Sequence, residues 1–136
     1  MIIGEAKGDI LTTKDGQIIF PLNSDGCNYS GFPKRVAKLG FSEILNTGSN
    51  QLGEVLEKTI NGITYHGIVC YSLKLGGWTN TPNIILNALN QMEFNKTASI
   101  VSIGKGPSGA LLGASWDDIK SALSRCNKRL TIWYPS

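Results

Sequence analysis

The chain has 136 residues, of which 41% are hydrophobic and 17% charged, and its formal net charge is +3. This length suits one domain with its own core, and the composition is typical of a globular protein and excludes a disordered one. The small positive charge gives no ground for nucleic-acid binding, because the short clusters of basic residues fall where helix surfaces are expected. We therefore expect a single domain over residues 1–136.

The cysteines and the apolar segments limit the cellular setting. Cys27, Cys70 and Cys126 lie far apart and show neither disulfide-framework nor zinc-site spacing. The first residues lack the regions of a signal peptide, and no segment approaches the roughly 20 apolar residues of a membrane span. We expect a cytoplasmic monomer with no membrane contact, no metal site and no cofactor.

The first elements along the chain are two strands and a helix. Residues 2–6 predict a short strand, and the apolar run 17–22 between two Gly-containing turns predicts a buried one. Residues 33–39 then predict a short helix with a basic outer side. In this helix, Val36 and Leu39 are expected to point inward.

The rest of the chain predicts a hairpin, a helix, a strand, a second helix and a final strand. In order, these elements cover 54–60 and 63–71, 82–94, 98–103, the segment after Ser115, and 130–134. Asn61-Gly62 is a strong signal for the hairpin turn. Thr81 is the expected N-cap of the first helix, with Pro82 at its N1 position. Ser115 is the expected N-cap of the second.

Strands that alternate with helices predict an α/β fold. We expect a three-layer α/β/α sandwich, with a mixed sheet because of the hairpin but mostly parallel strands. Ligands of such folds bind in the loops beyond the carboxyl ends of the strands. The loops after the predicted strands are therefore the places to look for a site.

A glycine-rich loop follows the strand at 98–103. Its glycines are Gly104, Gly106, Gly109 and Gly113. Glycine reaches positive φ without steric cost, so such a loop can turn several backbone N–H groups toward one phosphate. The loop matches neither the P-loop pattern nor the dinucleotide fingerprint. Because a plain surface connection explains the same glycines, the loop alone leaves both interpretations open.

Two further polar segments follow predicted strands, at residues 8–10 and 23–32. Together with the loop from Gly104 they offer a carboxylate for an exocyclic amine, an amide side chain for ribose hydroxyls and backbone amides for phosphates. This combination predicts a nucleotide site at the edge of the sheet.

Four stretches in order along the chain, 7–10, 23–32, 103–106 with Trp116, and 131–134, resemble the macro domains that bind ADP-ribose. The resemblance covers nearly the whole chain. It is nearest to the small stand-alone branch that includes glutamyl-ADP-ribose hydrolases and ADP-ribose-1″-phosphate phosphatases. It implies that Asp9 bonds the adenine amine, that the second and third stretches contact ribose and phosphates, and that the last brings an aromatic residue against adenine.

The resemblance thus implies a ligand-binding set spread over all four stretches. The residues are Gly8, Asp9, Ile10, Asn23, Ser24, Gly26, Ser30, Gly31, Phe32, Ile103, Gly104, Lys105, Gly106, Pro107, Ser108, Gly109, Ala110, Trp133 and Tyr134. Among them, Lys105 either adds positive charge beside a diphosphate or faces solvent.

Catalytic residues are harder to transfer. Where the glutamyl hydrolases carry a nucleophilic lysine after the hairpin, this chain has Tyr71 or Ser72, and Lys74 follows a few residues on. A lysine nucleophile needs desolvation, and an exposed position is the alternative for Lys74. The partner aspartate of the second phosphate loop is also missing. We predict instead that catalysis, where present, uses Asn23 to place a water, or Asp25.

Other chemically notable residues have structural explanations. His66 lies mid-strand and is expected to be packed rather than a general base. Cys27 has no neighbouring base or cation that would activate its thiol. Trp78 and Tyr29 either stack on the ligand or belong to a lid or the core.

The predicted function is recognition of ADP-ribose or a related NAD-derived nucleotide, with hydrolytic removal of ADP-ribose from a modified target as a further activity. One alternative is an ADP-ribose-1″-phosphate phosphatase. Another, from a different class, is a non-catalytic reader of RNA or poly(ADP-ribose), against which the weak net charge argues. The expected partner is ADP-ribose or an ADP-ribosylated macromolecule, and nucleic acid enters only as a modified substrate.

Overall fold

A computed structural model describes residues 1–26, 28–29, 31–72, 80–103, 110–111 and 114–135. The strands in these ranges are β1 (Ile2–Lys7), β2 (Gln17–Asn23), β3 (Val55–Ile60), β4 (Ile63–Tyr71), β5 (Ala98–Val101), β6 (Ala110–Leu111), β7 (Ala114–Ser115) and β8 (Leu130–Tyr134). The α-helices are α1 (Gly31–Lys38), α2 (Thr81–Gln91) and α3 (Trp116–Arg125), and short 3₁₀ turns cover Ile10–Thr12 and Ser42–Leu45.

Within the described ranges, six strands form one sheet in the order β1-β8-β5-β2-β4-β3. Every neighbouring pair is parallel except β3 and β4, which are antiparallel. β6 and β7 form a separate antiparallel pair just before α3. The predicted mixed, mostly parallel sheet is therefore confirmed, and the small β6–β7 pair is an addition that the sequence did not indicate.

The sheet has a hydrophobic cluster on each face, which gives the three layers. On β2, Ile18, Phe20 and Leu22 face the cluster that includes Val36 of α1, whereas Ile19 faces the cluster with α2 and α3. This two-residue alternation explains why β2 reads as a continuous apolar run, since both of its faces are covered. None of the helices in the described ranges has the length and apolar run that a bilayer crossing needs.

The β3–β4 hairpin turns where the sequence predicts it. Asn61 has a φ of 51° and Gly62 a φ of 82°. A tight two-residue hairpin loop of type I′ needs positive φ at both central residues, and Asn-Gly supplies it at the lowest cost. The hairpin prediction is confirmed.

The start of α2 differs from the prediction. Thr81 is the first helical residue and Asn80 the N-cap, which makes no side-chain capping bond. The Thr81 hydroxyl instead donates to the carbonyl oxygen of Cys70 at 2.7 Å, so it is committed to β4 and unavailable to the helix amides. The helix then ends at Gln91, before the predicted 94.

Two other boundaries also differ. α1 begins at Gly31 and ends at Lys38, so Leu39 follows the helix and is 44% exposed instead of pointing inward. β5 ends at Val101, two residues before the predicted end. By contrast, Ser115 caps α3 as predicted, since its hydroxyl accepts the Asp118 amide at 3.2 Å.

Candidate functional site

Five parallel strands end at the same edge of the sheet, and their ladders continue one residue further. The additional backbone bonds run from Gly8 N to Tyr134 O (2.9 Å), from Ser102 N to Trp133 O (3.1 Å) and from Ser24 N to Tyr71 O (3.0 Å). These bonds fix the first residues of each loop relative to its neighbours. The segments after β1 and β2, and residues 102–103 after β5, are thus brought to one edge. The predicted loop from Gly104 to Gly109 lies outside the described residues.

One cavity at this edge, which we call the Asp9 pocket, has a volume of about 400 Å³. It is bounded by the ends of β1, β8 and β5 and by the first turn of α1. Its lining residues are Gly8, Asp9, Ile10, Gly31, Phe32, Arg35, Val101, Ser102, Trp133 and Pro135. Six of these belong to the predicted ligand-binding set, and the others were not predicted.

Asp9 is held with its carboxylate ionised and oriented. Oδ2 accepts from Arg35 Nη2 at 2.7 Å, and Oδ1 accepts from the Leu11 amide at 3.0 Å, which caps the 3₁₀ turn. The Arg35 bond, and secondarily the Leu11 bond, lower the pKa of the Asp9 carboxyl below its usual range. Both charged side chains are about half exposed, so the pair itself adds little stability.

Arg35 is a pocket residue that sequence reasoning missed. The sequence predicts it on the basic outer side of the helix, but in the structure it lies one turn after Gly31 of α1 and faces Asp9. Its guanidinium carbon lies 5.9 Å from the centre of the Phe32 ring, and Phe32 packs edge-on against Phe20. The useful signal is its place one turn into α1, which begins within the predicted loop 23–32.

Trp133 forms one wall of the Asp9 pocket, and the hydrogen bond donated by its indole N–H fixes the orientation of its ring. The indole Nε1–H donates to Ser99 Oγ at 3.0 Å, and Ser99 Oγ donates to Asp15 Oδ2 at 2.8 Å. Thr13 Oγ1 lies 2.6 Å from Ser99 Oγ. These residues of β5 and of the turn after β1 therefore set the orientation of the aromatic wall.

Tyr134, also predicted to contact the ligand, lies on the other face of β8. Its ring packs edge-on against Trp116 at 5.8 Å, and its hydroxyl donates to Glu5 Oε1 at 3.1 Å. It lines a different cleft of about 640 Å³. Consecutive residues of a strand point to opposite faces, so Trp133 and Tyr134 cannot share one pocket.

A second cavity at the same edge, which we call the Asp25 pocket, has a volume of about 590 Å³. It is lined by Ser24, Asp25, Gly48, Asn50, Gln51, Leu52 and Ser72. The Ser72 hydroxyl donates to Asp25 Oδ1 at 2.5 Å, and the Asp25 amide donates to Asn23 Oδ1 at 3.0 Å. Both predicted catalytic residues therefore lie at the end of β2, with Asp25 in the cavity.

The loop after β2 is anchored by two buried polar residues that were not predicted. Asn28 Oδ1 accepts from the Asn23 amide at 3.0 Å, and Asn28 Nδ2 donates to Thr47 Oγ1 at 2.9 Å. The Thr47 hydroxyl in turn donates to the Asn23 carbonyl. Gly26 passes close to the 46–48 turn: a Cβ there would lie 3.2 Å from Asn46 Oδ1 and 3.4 Å from Gly48 Cα, and its φ of +90° would strain any other residue. The loop is thereby tied to the 46–48 turn.

Several predicted residues remain untested in position. Ile103 is 2% exposed and packs in the core, so any ligand contact has to come from its backbone. Tyr29 is 57% exposed, and Ala110 begins β6. The following lie outside the described residues: Cys27, Ser30, Lys74, Trp78, Gly104, Lys105, Gly106, Pro107, Ser108, Gly109 and Gly113.

A fourth, larger cavity of about 730 Å³ lies over β3 and β4, away from the strand ends, and is lined in part by His66. The imidazole is 3% exposed, with Nδ1 3.0 Å from Glu57 Oε1 and Nε2 2.5 Å from Gln17 Oε1. Burial lowers the pKa of His66, and Glu57 opposes this only in part. The histidine is packed, as predicted.

We expect the stability of the protein to fall in mild acid because of His66. Below about pH 6.5 the unfolded chain protonates this histidine first, since the folded pKa is lower, so the free energy of unfolding decreases as the pH falls through that window. We expect urea unfolding at about pH 7.5 and 5.5 to show that the free energy of unfolding decreases less between these two pH values in His66→Gln than in the wild type. Equal losses in both proteins would contradict the assignment.

Comparison with known proteins shows which solved structures share this architecture. No protein-family model matches the sequence, and no curated protein is significantly similar to it. Solved structures do match. The macrodomain of Mycobacterium tuberculosis DarG has a TM-score of 0.69 and 14% identity, and the match covers 100% of this chain and 99% of that one. A macrodomain protein from Streptomyces coelicolor has a TM-score of 0.66 and 15% identity, and the match covers 98% of this chain and 99% of that one. The macrodomain of Thermus aquaticus DarG also matches, with a TM-score of 0.64, 12% identity and coverage of 99% of both chains.

The class defined by these observations is an α/β sandwich with two cavities at the carboxyl ends of its parallel strands. Its fold is that of the macrodomains, over essentially the full length of both chains. The predicted macro-domain-like architecture is therefore confirmed. Identities of 12–15% establish the fold alone.

Proposed function

We propose that the protein binds ADP-ribose, or a closely related NAD-derived nucleotide, along the edge where the parallel strands end, and that it removes ADP-ribose hydrolytically from a modified target. The observation that carries this proposal is the pairing of the Asp9 and Asp25 pockets on one edge. The first lies at β1, β8 and β5, and the second at β2 and β4. Adjacent strands are about 4.8 Å apart, so the pockets are separated by roughly 10–15 Å. A ligand that fills both must be longer than a nucleoside.

The Asp9 pocket has the chemistry for an adenine. The ionised Asp9 carboxylate accepts hydrogen bonds, which suits an exocyclic amine, and the fixed indole of Trp133 offers a flat wall for an aromatic base. The amino terminus of α1 at Gly31 opens toward the same cavity, and a helix amino terminus favours negative charge. Adenosine therefore enters here with its phosphates directed toward the loop after β2.

The Asp25 pocket then receives the distal ribose and the group attached to it. Five of its seven lining residues are polar, with Asn50, Gln51 and two serines beside Asp25. Hydroxyl and amide side chains suit ribose hydroxyls, and a carboxylate can act on a water. The proposed hydrolytic activity is placed at this end.

The binding proposal is tested by titrating ADP-ribose into the wild type and Asp9 variants by calorimetry. Asp9→Ala should weaken binding by about 1–3 kcal/mol, because a charged hydrogen bond to the ligand is lost. Asp9→Asn keeps an oxygen that can cap the 3₁₀ turn, so it separates loss of the ligand bond from loss of the local fold. Its effect should be smaller than that of alanine.

The matched control is Glu43→Ala. This change also removes a carboxylate from an exposed ion pair, with Lys58 at 3.5 Å, but Glu43 lines neither pocket. Its affinity for ADP-ribose should equal that of the wild type. An unchanged affinity in Asp9→Ala would reject the adenine assignment, and a steep fall of binding with salt would favour a nucleic-acid or poly(ADP-ribose) reader instead.

The hydrolytic part is tested by incubating the protein with ADP-ribosylated protein, ADP-ribosylated DNA and ADP-ribose-1″-phosphate. Release of ADP-ribose from a modified macromolecule supports the proposal. Turnover of ADP-ribose-1″-phosphate alone, to ADP-ribose and phosphate, would make the phosphatase alternative correct, and no turnover on any substrate would leave a binding module.

A further inference from the structure

Asp25 and Ser72 come from two neighbouring strands and meet at the sheet edge. Asp25 lies two residues after β2, and Ser72 directly follows β4. The backbone bond from Ser24 N to Tyr71 O at 3.0 Å ties the two strand ends together next to the pair. The contact between the two side chains is therefore set by the strand pairing and not by one flexible loop.

The Ser72–Asp25 bond is short and its donor is buried. Ser72 is 2% exposed, and its hydroxyl lies 2.5 Å from Asp25 Oδ1. This distance falls in the range of O–H···O⁻ bonds to a charged acceptor, about 2.5–2.7 Å. A hydrogen bond donated to the ionised form favours that form. The bond from Ser72 thus fixes the direction of the Asp25 carboxyl group.

The backbone of Asp25 is fixed as well. Asn23 Oδ1 accepts the Asp25 amide at 3.0 Å, and the residue after Asp25 is the glycine that passes close to Gly48. Asn23, which we predicted as a catalytic residue, therefore supports the position of Asp25. A carboxylate fixed at both backbone and side chain on the wall of an open cavity is preorganised for proton transfer.

We infer that Asp25 is the general base of the hydrolytic reaction and that Ser72 is its positioning residue. This inference rests on the proposed function. Asp25 takes a proton from a water whose oxygen forms a bond to C1″ of the distal ribose. The bond from C1″ to the target atom breaks, and its electron pair leaves with that atom. The proton on Asp25 then passes to the leaving atom or to solvent, which restores the carboxylate.

The experiment compares Asp25→Asn, Ser72→Ala and Ser72→Thr with the wild type, on whichever of the two ADP-ribosylated macromolecules, protein or DNA, is turned over. For each protein, kcat, KM and the dependence of kcat on pH are measured, together with the Kd for free ADP-ribose. Asp118→Asn is the matched control, because it is the same substitution at an exposed carboxylate in the first turn of α3.

Asp25→Asn should lower kcat by about a hundredfold or more, the usual contribution of a general base, and leave the Kd for ADP-ribose nearly unchanged. Ser72→Ala should lower kcat by about tenfold and move the acid limb of the pH profile to higher pH, because Asp25 loses the bond that favours its ionised form. Ser72→Thr keeps a hydroxyl and should return the limb toward the wild-type position. The unchanged Kd shows that each variant is folded.

Three results would overturn the inference, and two of them come from the variants. One is an Asp25→Asn variant whose kcat equals that of the Asp118→Asn control. The other is a Ser72→Ala variant with an unmoved pH profile, which would leave Ser72 a structural residue. A wild type that binds ADP-ribose but turns over no substrate would also overturn it while leaving the binding proposal intact. A wild type that does not bind ADP-ribose would instead reject the proposed function.

Discussion

Gly67→Ala should destabilise the protein by about 1–3 kcal/mol, the usual cost of overpacking a core. Gly67 lies in the centre of β4, paired with Phe20 of β2. A Cβ there would lie 2.5 Å from Leu22 Cδ1 and 3.2 Å from both Leu22 Cγ and Phe20 Cε2. Phe20 and Leu22 are both fully buried, so neither has free space into which to move. The free energy of unfolding in urea is the measurement, and Gly67→Val should lose more.

The matched control is Gly4→Ala on β1. A Cβ at Gly4 would meet only Thr131 Oγ1, at 3.9 Å, which is an ordinary contact. This substitution should be neutral or stabilise by up to about 1 kcal/mol, because alanine restricts the unfolded chain. If the two alanine variants were equally stable, close packing of β4 against β2 would not be the reason for glycine at position 67.

The second large effect is expected at Trp133. Removing the indole in Trp133→Ala should weaken ADP-ribose binding by about 1–3 kcal/mol, the usual worth of stacking one base on an aromatic ring. At 1.4 kcal/mol per tenfold, this is a loss of roughly 5- to 150-fold in affinity. Trp133→Phe keeps a ring but loses the bond to Ser99 at 3.0 Å, so its loss should be much smaller. Calorimetric titration measures all three proteins.

Tyr134→Ala is the control for this prediction, because it removes the neighbouring aromatic residue from the opposite face of β8. Its affinity for ADP-ribose should stay close to that of the wild type. A loss equal to that of Trp133→Ala would mean that the ligand approaches the other face, as the sequence resemblance allowed. Thermal unfolding of each variant separates reduced binding from reduced folding.

Features that depend on local chemistry could be predicted from the sequence. Asn61-Gly62 meets the φ requirement of its turn by itself, and Ser115 caps α3 with a bond only three residues long. The meeting of the loop segments at one edge followed from the expected parallel strands, which need only the alternation of strands and helices. Local patterns therefore gave the architecture and the edge that carries the candidate site.

Features that depend on distant partners could not be predicted. The Thr81 hydroxyl bonds β4 instead of capping its own helix, and the Asp25–Ser72 contact joins residues 47 positions apart. Arg35 read as a surface residue because nothing local shows that Asp9 faces it. The sequence motif also did not show which of the two neighbouring aromatic residues of β8 faces the pocket, because consecutive residues of a strand point to opposite faces.

The strand pair that presents Asp25 and Ser72 also carries the close packing around Gly67. A shift of β4 along β2 by a few tenths of an ångström would stretch a 2.5 Å bond while leaving most of the fold intact. Under the proposed hydrolytic function, the rate of turnover is therefore expected to depend on the alignment of these two interior strands. Screens for inactive variants should recover buried apolar positions well away from the cleft, and their loss of activity should precede any drop in melting temperature.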